Sequence, residues 1–475
     1  MWLGCLLLLC GVLIAATWWR GPQFGLGCAV IVSLLAPVWV DWNAGPLPID
    51  LRTAIAVIGI SAYCVYPGSR VNLRLVPADV ALIALMLANL ATDTYNDGFT
   101  WALPLRVYGE WGIPYVAGRL AIQSLDDARK LAPIVCLVLA ALAIWALAEA
   151  TTGVNPANAI FGERPDDFTN KHMQRFGLYR AEGPTRHSIY LGMLLVLLSP
   201  WVVYQSLRAW RHEAVGAWLI APIFVLGGLV ASTARSPMLA LALAAAIALW
   251  YCLPAWRRWI GGGYLAALLL LALLWKPAIA LLERLEDNRD SRARVKVVVG
   301  NERVEYSGTR HRLYLLPVYA QAMRKAGAFG FGTYLTAQFP LRIPLATDDA
   351  ATRIAMMFVD NHYILIELRL GYVGLACFVA FVVAVAIQAM RLVNRSSAPE
   401  STFMAALGSA VLGVSIMLLT VWLPQDFGFL YLWTAGTTSG LLLGGRSAGA
   451  FAQTSGRHGA ASAYGSSSGK PRMAV

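Results

Sequence analysis

Long apolar runs separated by shorter polar connectors dominate this chain. Most runs extend over roughly 16–20 residues, the length that an α-helix needs to cross the apolar part of a bilayer. They predict membrane spans at 2–18, 23–40, 51–67, 77–92, 101–118, 131–149, 187–206, 214–232, 235–253, 262–282, 362–390, 402–423 and 427–445. The pattern indicates an all-α polytopic membrane protein.

The number of spans depends on the first 40 residues. Trp2–Trp18 is short for a span, and it lacks the basic start and small-residue cleavage site of a removed signal. If 2–40 crosses the membrane once, the chain has about twelve spans and both ends are cytoplasmic. Counting every run instead gives thirteen and an external N-terminus. We favour about twelve.

Composition supports a membrane protein. Of 475 residues, 58% are hydrophobic and 13% charged. In such a chain a net charge of +12 reflects cytoplasmic connectors rather than nucleic-acid binding. The seven cysteines lie in or at the ends of apolar runs, which predicts neither a disulfide framework nor a cysteine metal site.

Basic residues alternate along the connectors. Every second connector is basic: Arg70 and Arg74; Arg119, Arg129 and Lys130; Arg208 and Arg211; Arg257 and Arg258; Arg391 and Arg395. The positive-inside rule places these in the cytoplasm. The other connectors then face outward: 41–50, 93–100, 150–186, 232–236, 283–361 and 424–426.

The predicted domains follow from this sidedness. Residues 1–282 form spans and include an outward loop at 150–186. Residues 283–361 form an outward, mainly helical lid segment, and residues 362–445 form the last spans. Within the lid, Val295–Val299 and Glu302–Tyr306 predict a hairpin. Arg310–Ala326 has helical apolar spacing, with Leu313, Leu316, Tyr319, Ala320 and Met323 on one side. The Ser/Gly/Ala-rich stretch 446–475 predicts a disordered cytoplasmic tail.

His362 stands at the boundary between the lid segment and a span. Asp360 precedes it and is suited to capping the helix that follows. A neutral imidazole there could take a proton from a sugar hydroxyl, or it could simply mark the water–lipid boundary. Farther along, Arg369 shares a helix face with His362, and Glu367 suggests an ion pair with another helix.

Arginines are frequent in the outward segments, where the positive-inside rule predicts few. Guanidinium groups match phosphate oxygens, and an arginine beside a span is costly unless it pairs with an anion. These arginines predict a site for a lipid-linked phosphate or diphosphate. The candidates are Arg180, Arg186, Arg235, Arg310 and Arg312.

Four stretches of the chain resemble the O-antigen ligase and polymerase superfamily of membrane glycosyltransferases. Tyr179–Pro184 resembles its Arg-x-x-Gly-Pro motif, and Thr233–Pro237 its Thr-x-Ser-Arg link. Arg310–Gly332 resembles the outer helix with its glycine-rich end. Asp360–Tyr363 with Gly371–Leu375 resembles the His-Asn-x-Tyr…Gly-x-x-Gly-Leu signature.

One position departs from the family pattern. The first residue of that signature is histidine in the family and Asp360 here, with His362 two residues later. We rank His362 first as the catalytic base, because imidazole titrates nearer neutral pH, and Asp360 second. The resemblance also implies a GT-C-like helical fold with an outward cavity below the lid.

The resemblance implies transfer of an undecaprenyl-diphosphate-linked O-polysaccharide to lipid A–core in lipopolysaccharide biosynthesis. The reaction would occur on the periplasmic face of the inner membrane, with inversion and with no cofactor, metal or ATP. The basic segment at 283–361 favours a ligase, because it suits an acidic acceptor. An O-antigen polymerase and a protein O-oligosaccharyltransferase of the same superfamily remain open. A transporter or flippase for an anionic lipid is a more distant alternative, which predicts symmetric halves.

Overall fold

The computed structural model describes residues 1–44, 47–69, 71–162, 174–175, 177–274, 295–299, 302–306, 310–337, 343, 345, 353, 359–396 and 400–462. The described residues are mainly helical, with little strand, which agrees with an all-α polytopic membrane protein. The strands described form three antiparallel hairpins, β1–β2, β3–β4 and β5–β6.

The described ranges contain seventeen α-helices, α1 to α17 in chain order. Those of the first half are α1 (Trp2–Arg20), α2 (Pro22–Ser33), α3 (Leu51–Val65), α4 (Pro77–Asp97), α5 (Ala102–Val107), α6 (Ile113–Ala121), α7 (Leu125–Thr152), α8 (Pro156–Phe161) and α9 (Ser188–Trp210). Those of the second half are α10 (Ala221–Ser232), α11 (Arg235–Cys252), α12 (Arg257–Leu273), α13 (Arg310–Ala326), α14 (Gly332–Ala337), α15 (His362–Val393), α16 (Glu400–Met417) and α17 (Gln425–Ser462). The strands are β1 (Asp41–Ala44), β2 (Leu47–Asp50), β3 (Gln174–Arg175), β4 (Leu178–Tyr179), β5 (Val295–Val299) and β6 (Glu302–Tyr306).

Seven helices in the described ranges are long and apolar enough to cross a membrane. They are α1, α4, α7, α9, α11, α15 and α16, and each coincides with a predicted span. The predicted spans 23–40, 51–67 and 214–232 correspond to shorter apolar helices. Part of the span at 262–282 lies outside the described residues, and α17 continues past residue 445 to Ser462. About twelve spans therefore remains a prediction, as does the disordered tail at 446–475, of which residues 463–475 lie outside the described residues.

Contacts between connectors agree with the assigned sidedness. On the side predicted to be external, Asn96 donates to the Gly330 carbonyl and Arg175 to the Thr233 carbonyl. On the other side, Arg119 donates to the carbonyl oxygen of Arg74. Each bond joins connectors that the positive-inside rule assigns to the same side.

The lid segment contains the predicted hairpin and helix. Strands β5 and β6 pair with Val297 opposite Val304, and α13 has the predicted bounds. The predicted apolar face was wrong in part, because Leu316 is exposed. The face that packs consists of Leu315, Val318, Tyr319 and Ala322, together with Ile364 and Leu368 from the start of α15.

Helix α15 doubles back at Gly371, where φ is 68° and ψ is −169°. Sixteen residues of straight helix would separate His362 from Phe378 by about 24 Å, yet their ring centroids lie 5.0 Å apart. Residues 362–370, the short arm, therefore fold against residues 372–393, the long arm. The predicted span at 362–390 is corrected accordingly: the long arm is the part long enough to cross a bilayer.

The fold-back depends on two glycines in direct contact. A Cβ on Gly371 would collide with the Ala328 backbone, and one on Gly330 with the backbone of Arg369. Across this junction, Phe331 N donates to the Leu368 carbonyl at 2.8 Å and Tyr372 N to the Gly327 carbonyl at 3.0 Å. The glycine-rich end of α13 and the Gly-x-x-Gly stretch of α15 thus form one structural unit.

Replacing Gly371 with alanine should destabilise the protein. Its backbone conformation is one that only glycine adopts readily, at a cost of about 1–3 kcal/mol for other residues, and the Ala328 clash adds to that. We expect a lower thermal midpoint and a lower monodisperse yield in detergent. Gly262→Ala is the control, because its Cβ would meet nothing within 4 Å in a helix. Equal midpoints for the two variants would contradict the argument.

Candidate functional site

Four arginines lie on two hydrogen-bonded segments at the end of the bundle that is predicted to face outward. Arg175, Arg180 and Arg186 belong to the stretch before α9, and Arg235 begins α11. The Ala181 amide donates to the Ala231 carbonyl at 3.2 Å, which ties the segments together. All four side chains are partly exposed. The structure therefore brings predicted residues Arg180, Arg186 and Arg235 into one region.

The stretch before α9 is held by an acid from α7. Glu149 is buried, and its Oε2 accepts from the Gly183 amide at 2.8 Å. Asn155 Nδ2 donates to the Gly183 carbonyl at 2.7 Å, so both backbone groups of Gly183 are bonded. Arg180 Nη2 donates to Ser188 Oγ at 2.9 Å. These bonds fix the direction in which the chain enters α9.

Arg186 is paired with a buried acid at the start of α17. Asp426 is fully buried; its Oδ2 accepts from the Arg186 amide at 2.7 Å, and its Oδ1 lies 3.4 Å from Arg186 Nε. Arg52 is also buried, and the charges of Asp426 and Arg186 act on it. The basic region thus contains a carboxylate that orients one of its cations.

Asp360 belongs to the same neighbourhood. Its charge acts on the Tyr190 side chain, as do the charges of Asp426 and Arg186. Asp360 is partly exposed. Asp360 was predicted to cap the helix, but the N-cap is Asn361, whose Oδ1 accepts from Ile364 N at 3.1 Å. The Asp360 carboxylate therefore does not cap α15.

His362 is buried instead of open to the outward side. Its ring packs edge-on against Phe378 and lies 6.5 Å from Trp111. Its Nδ1 accepts from the Leu423 amide at 3.3 Å. A neutral imidazole that accepts at Nδ1 carries its proton at Nε2, so it has no second nitrogen to act as a base.

Two predicted phosphate-binding arginines can be placed only by their backbone. Arg310 and Arg312 occupy the first turn of α13, and their side chains lie outside what the structure describes. Their participation in the site stays a prediction.

A second polar cluster lies where α4, the chain between α5 and α6, α14 and the short arm meet. Arg369 makes two 2.7 Å bonds to Glu110, one to each carboxylate oxygen. Within the described ranges no ion pair involves Glu367, so the interhelical ion pair expected there is made by Arg369. Asp93 is fully buried and accepts from Thr333 N at 2.7 Å and from Arg106.

Sequence reasoning missed Glu110, Arg52 and Asp426. Glu110 lies within the predicted span 101–118, and an ionisable residue inside a span is a functional candidate by itself. That signal was available for Glu110 and for Arg52, which lies in the first turn of α3. Asp426 gave a weaker signal, because it adjoins a very short connector.

Comparison with known families supports the geometry. Residues 220–379 match the family model described as O-antigen ligase. This match supports membership of the O-antigen ligase family. No curated protein matches the chain in sequence. The matched segment contains three of the four stretches that carried the resemblance; Tyr179–Pro184 lies outside it.

The family match supports a broad description of the protein. Members are membrane glycosyltransferase-like enzymes of the O-antigen ligase or polymerase type, whose general partners are a lipid-linked glycan and a lipid acceptor. Together with its apolar helices, this makes the chain a multi-pass membrane protein.

Proposed function

We propose that the protein is an O-antigen ligase of the inner membrane. It transfers an O-polysaccharide from undecaprenyl diphosphate to lipid A–core, with the reaction on the periplasmic face. Two observations support the proposal. The Ala181–Ala231 hydrogen bond joins the segments that carry Arg180, Arg186 and Arg235, and the charges of Asp360 and Arg186 both act on Tyr190. This arrangement offers cations for a diphosphate and a carboxylate for a hydroxyl.

Arg235 is the central diphosphate ligand in this proposal. It occupies the first turn of α11, where Ala234 provides no side-chain cap. The dipole of a helix N-terminus favours an anion. Arg180 and Arg186 add positive charge from the neighbouring segment, and Arg310 and Arg312 would add more from the lid. These cations stabilise the charge on the departing diphosphate, so neither a metal nor ATP is needed.

Asp360 is the base that the geometry favours, although the sequence ranked His362 first. His362 is buried with Nδ1 occupied, whereas Asp360 is partly exposed, and its charge acts on Tyr190 together with that of Arg186. In the reaction the acceptor hydroxyl oxygen attacks the anomeric carbon and passes its proton to Asp360. The bond from that carbon to the diphosphate oxygen breaks, and undecaprenyl diphosphate leaves. A single displacement inverts the anomeric configuration.

Purified protein, a defined lipid-diphosphate-linked glycan and lipid A–core test this proposal directly. We expect transfer product of inverted configuration, formed equally with and without EDTA. Product formation that requires a divalent metal would overturn the mechanism. Transbilayer movement of the lipid without any product would favour the transporter alternative.

The ligase and the polymerase differ in their effect on cells. Deleting a ligase should remove O-antigen from lipopolysaccharide while lipid-linked polymer persists. A single-repeat band on lipopolysaccharide gels would instead identify a polymerase. Cysteines introduced at positions 235 and 360 should react with impermeant reagents from the periplasmic side, and labelling from the cytoplasm would reject the orientation.

A further inference from the structure

We infer that Glu110 and Arg369 are positioning residues for this reaction, because they join the short arm, the lid and the bundle at one point. The inference rests on the proposed function. Arg369 lies at the end of the short arm, directly before the Gly371 reversal, and Asp360 precedes the start of the same arm. A helix of nine residues does not fix its own orientation, so the contacts at its two ends determine the position of Asp360.

The bonds of Arg369 reach three other elements. Its two terminal nitrogens bind both oxygens of Glu110 at 2.7 Å, and Nη2 also donates to Asn89 Oδ1 at 3.0 Å. Its Nε donates to Thr333 Oγ1 on α14. Thr333 in turn donates to Asp93 through its amide and its hydroxyl. One guanidinium thus connects the arm to α4, to the α5–α6 segment and to the lid.

Glu110 is presented by an irregular stretch of helix. Tyr108–Gly112, between α5 and α6, forms a π-helical turn, a rare feature that is frequent at functional sites. The adjacent Trp111 donates its indole N–H to Asn89 Oδ1 at 3.3 Å and also lies against His362. The π turn therefore supports the short arm at both ends, through Arg369 and through His362.

The charges in the cluster balance, which separates it from the anion-binding arginines. Asp93 and Glu110 offset Arg106 and Arg369, and the Arg369 side chain is only 12% exposed. A buried bidentate pair is costly to bury and strongly destabilising to break on one side. Such a pair in a membrane protein indicates function more than stability. With no net charge to offer a diphosphate, its role is to hold the short arm and lid in register.

The experiment measures turnover per donor-binding site. Arg369→Gln and Glu110→Gln remove the ion pair, whereas Arg369→Lys keeps the charge but not the two-pronged geometry. Glu400→Gln is the matched control, since Glu400 binds Arg129 at 2.9 Å on the opposite side of the bundle. Sites are counted by equilibrium binding of the lipid-diphosphate-linked glycan, and transfer is measured on the same samples.

We expect turnover per site to fall by about 10–100-fold in Arg369→Gln and Glu110→Gln, because small misplacements of reacting groups cost that much. Arg369→Lys should be intermediate, KM for the donor should change little, and Glu400→Gln should match the unaltered protein. Unchanged turnover per site, with only fewer sites, would mean a purely structural role and overturn the inference. Absence of product from the unaltered protein would overturn the proposed function, and this inference with it.

Discussion

Replacing Asp360 with asparagine should lower the turnover of glycan transfer by about 10²–10⁴-fold, the usual contribution of a general base. The amide keeps the size of the side chain but cannot take a proton from the acceptor hydroxyl. Because the amide keeps an acceptor oxygen in the same place and Asn361 caps the short arm, folding should be preserved. Donor binding should also persist, because the arginines are intact. The measurement is transfer per donor-binding site at neutral pH.

Two matched variants separate Asp360 from His362. His362→Asn retains an acceptor for the Leu423 amide but cannot titrate, so it should keep turnover within about tenfold of the unaltered protein. Asp360→His restores the residue of the family signature and should retain part of the activity, with turnover falling as the pH drops through about 6.5. An inactive His362→Asn that folds and binds donor, paired with an active Asp360→Asn, would return the base role to His362.

Replacing Arg235 with alanine should reduce transfer by about 10²–10³-fold, the loss seen when one group that stabilises developing charge is removed. Arg235 combines a guanidinium with the uncapped N-terminus of α11. Lysine at this position retains the positive charge but not the planar guanidinium that can bind two phosphate oxygens at once. Arg235→Lys should therefore keep only part of the transfer activity. Donor affinity and transfer rate are measured together, and both should decrease.

Arg258→Ala is the control for Arg235→Ala. Arg258 is also near the start of a helix, is exposed, and lies in a connector predicted to be cytoplasmic. It should leave donor binding and transfer unchanged. If both variants lose activity equally, the effect reflects overall charge and not a site at α11.

The apolar pattern predicted much of the fold because membrane helices are recognisable by length. Seven predicted spans coincide with long helices, and the β5–β6 hairpin and α13 have the predicted bounds. The reversal at Gly371 was not predictable in this way. Residues 362–393 form one continuous apolar run, and hydropathy contains no information on whether such a run is straight.

The site was predictable to the extent that its chemistry is local in sequence. Outward arginines beside spans pointed to Arg180, Arg186 and Arg235, which the fold brings together. The environment of His362 was not predictable, since it depends on Trp111 and Leu423, which are remote in sequence. The same holds for Asp426, whose pairing with Arg186 spans 240 residues.

The packing of Phe378 against His362 and Tyr363 has a consequence for interpreting natural variants. Phe378 lies within an apolar stretch of the long arm, where conservative replacements are ordinarily assumed to have no functional effect. Here its ring packs against the first two residues of the short arm. A smaller side chain such as leucine at this position would remove the ring contacts with His362 and Tyr363 and leave the start of the short arm poorly supported. Such a substitution would impair transfer although it changes no polar residue.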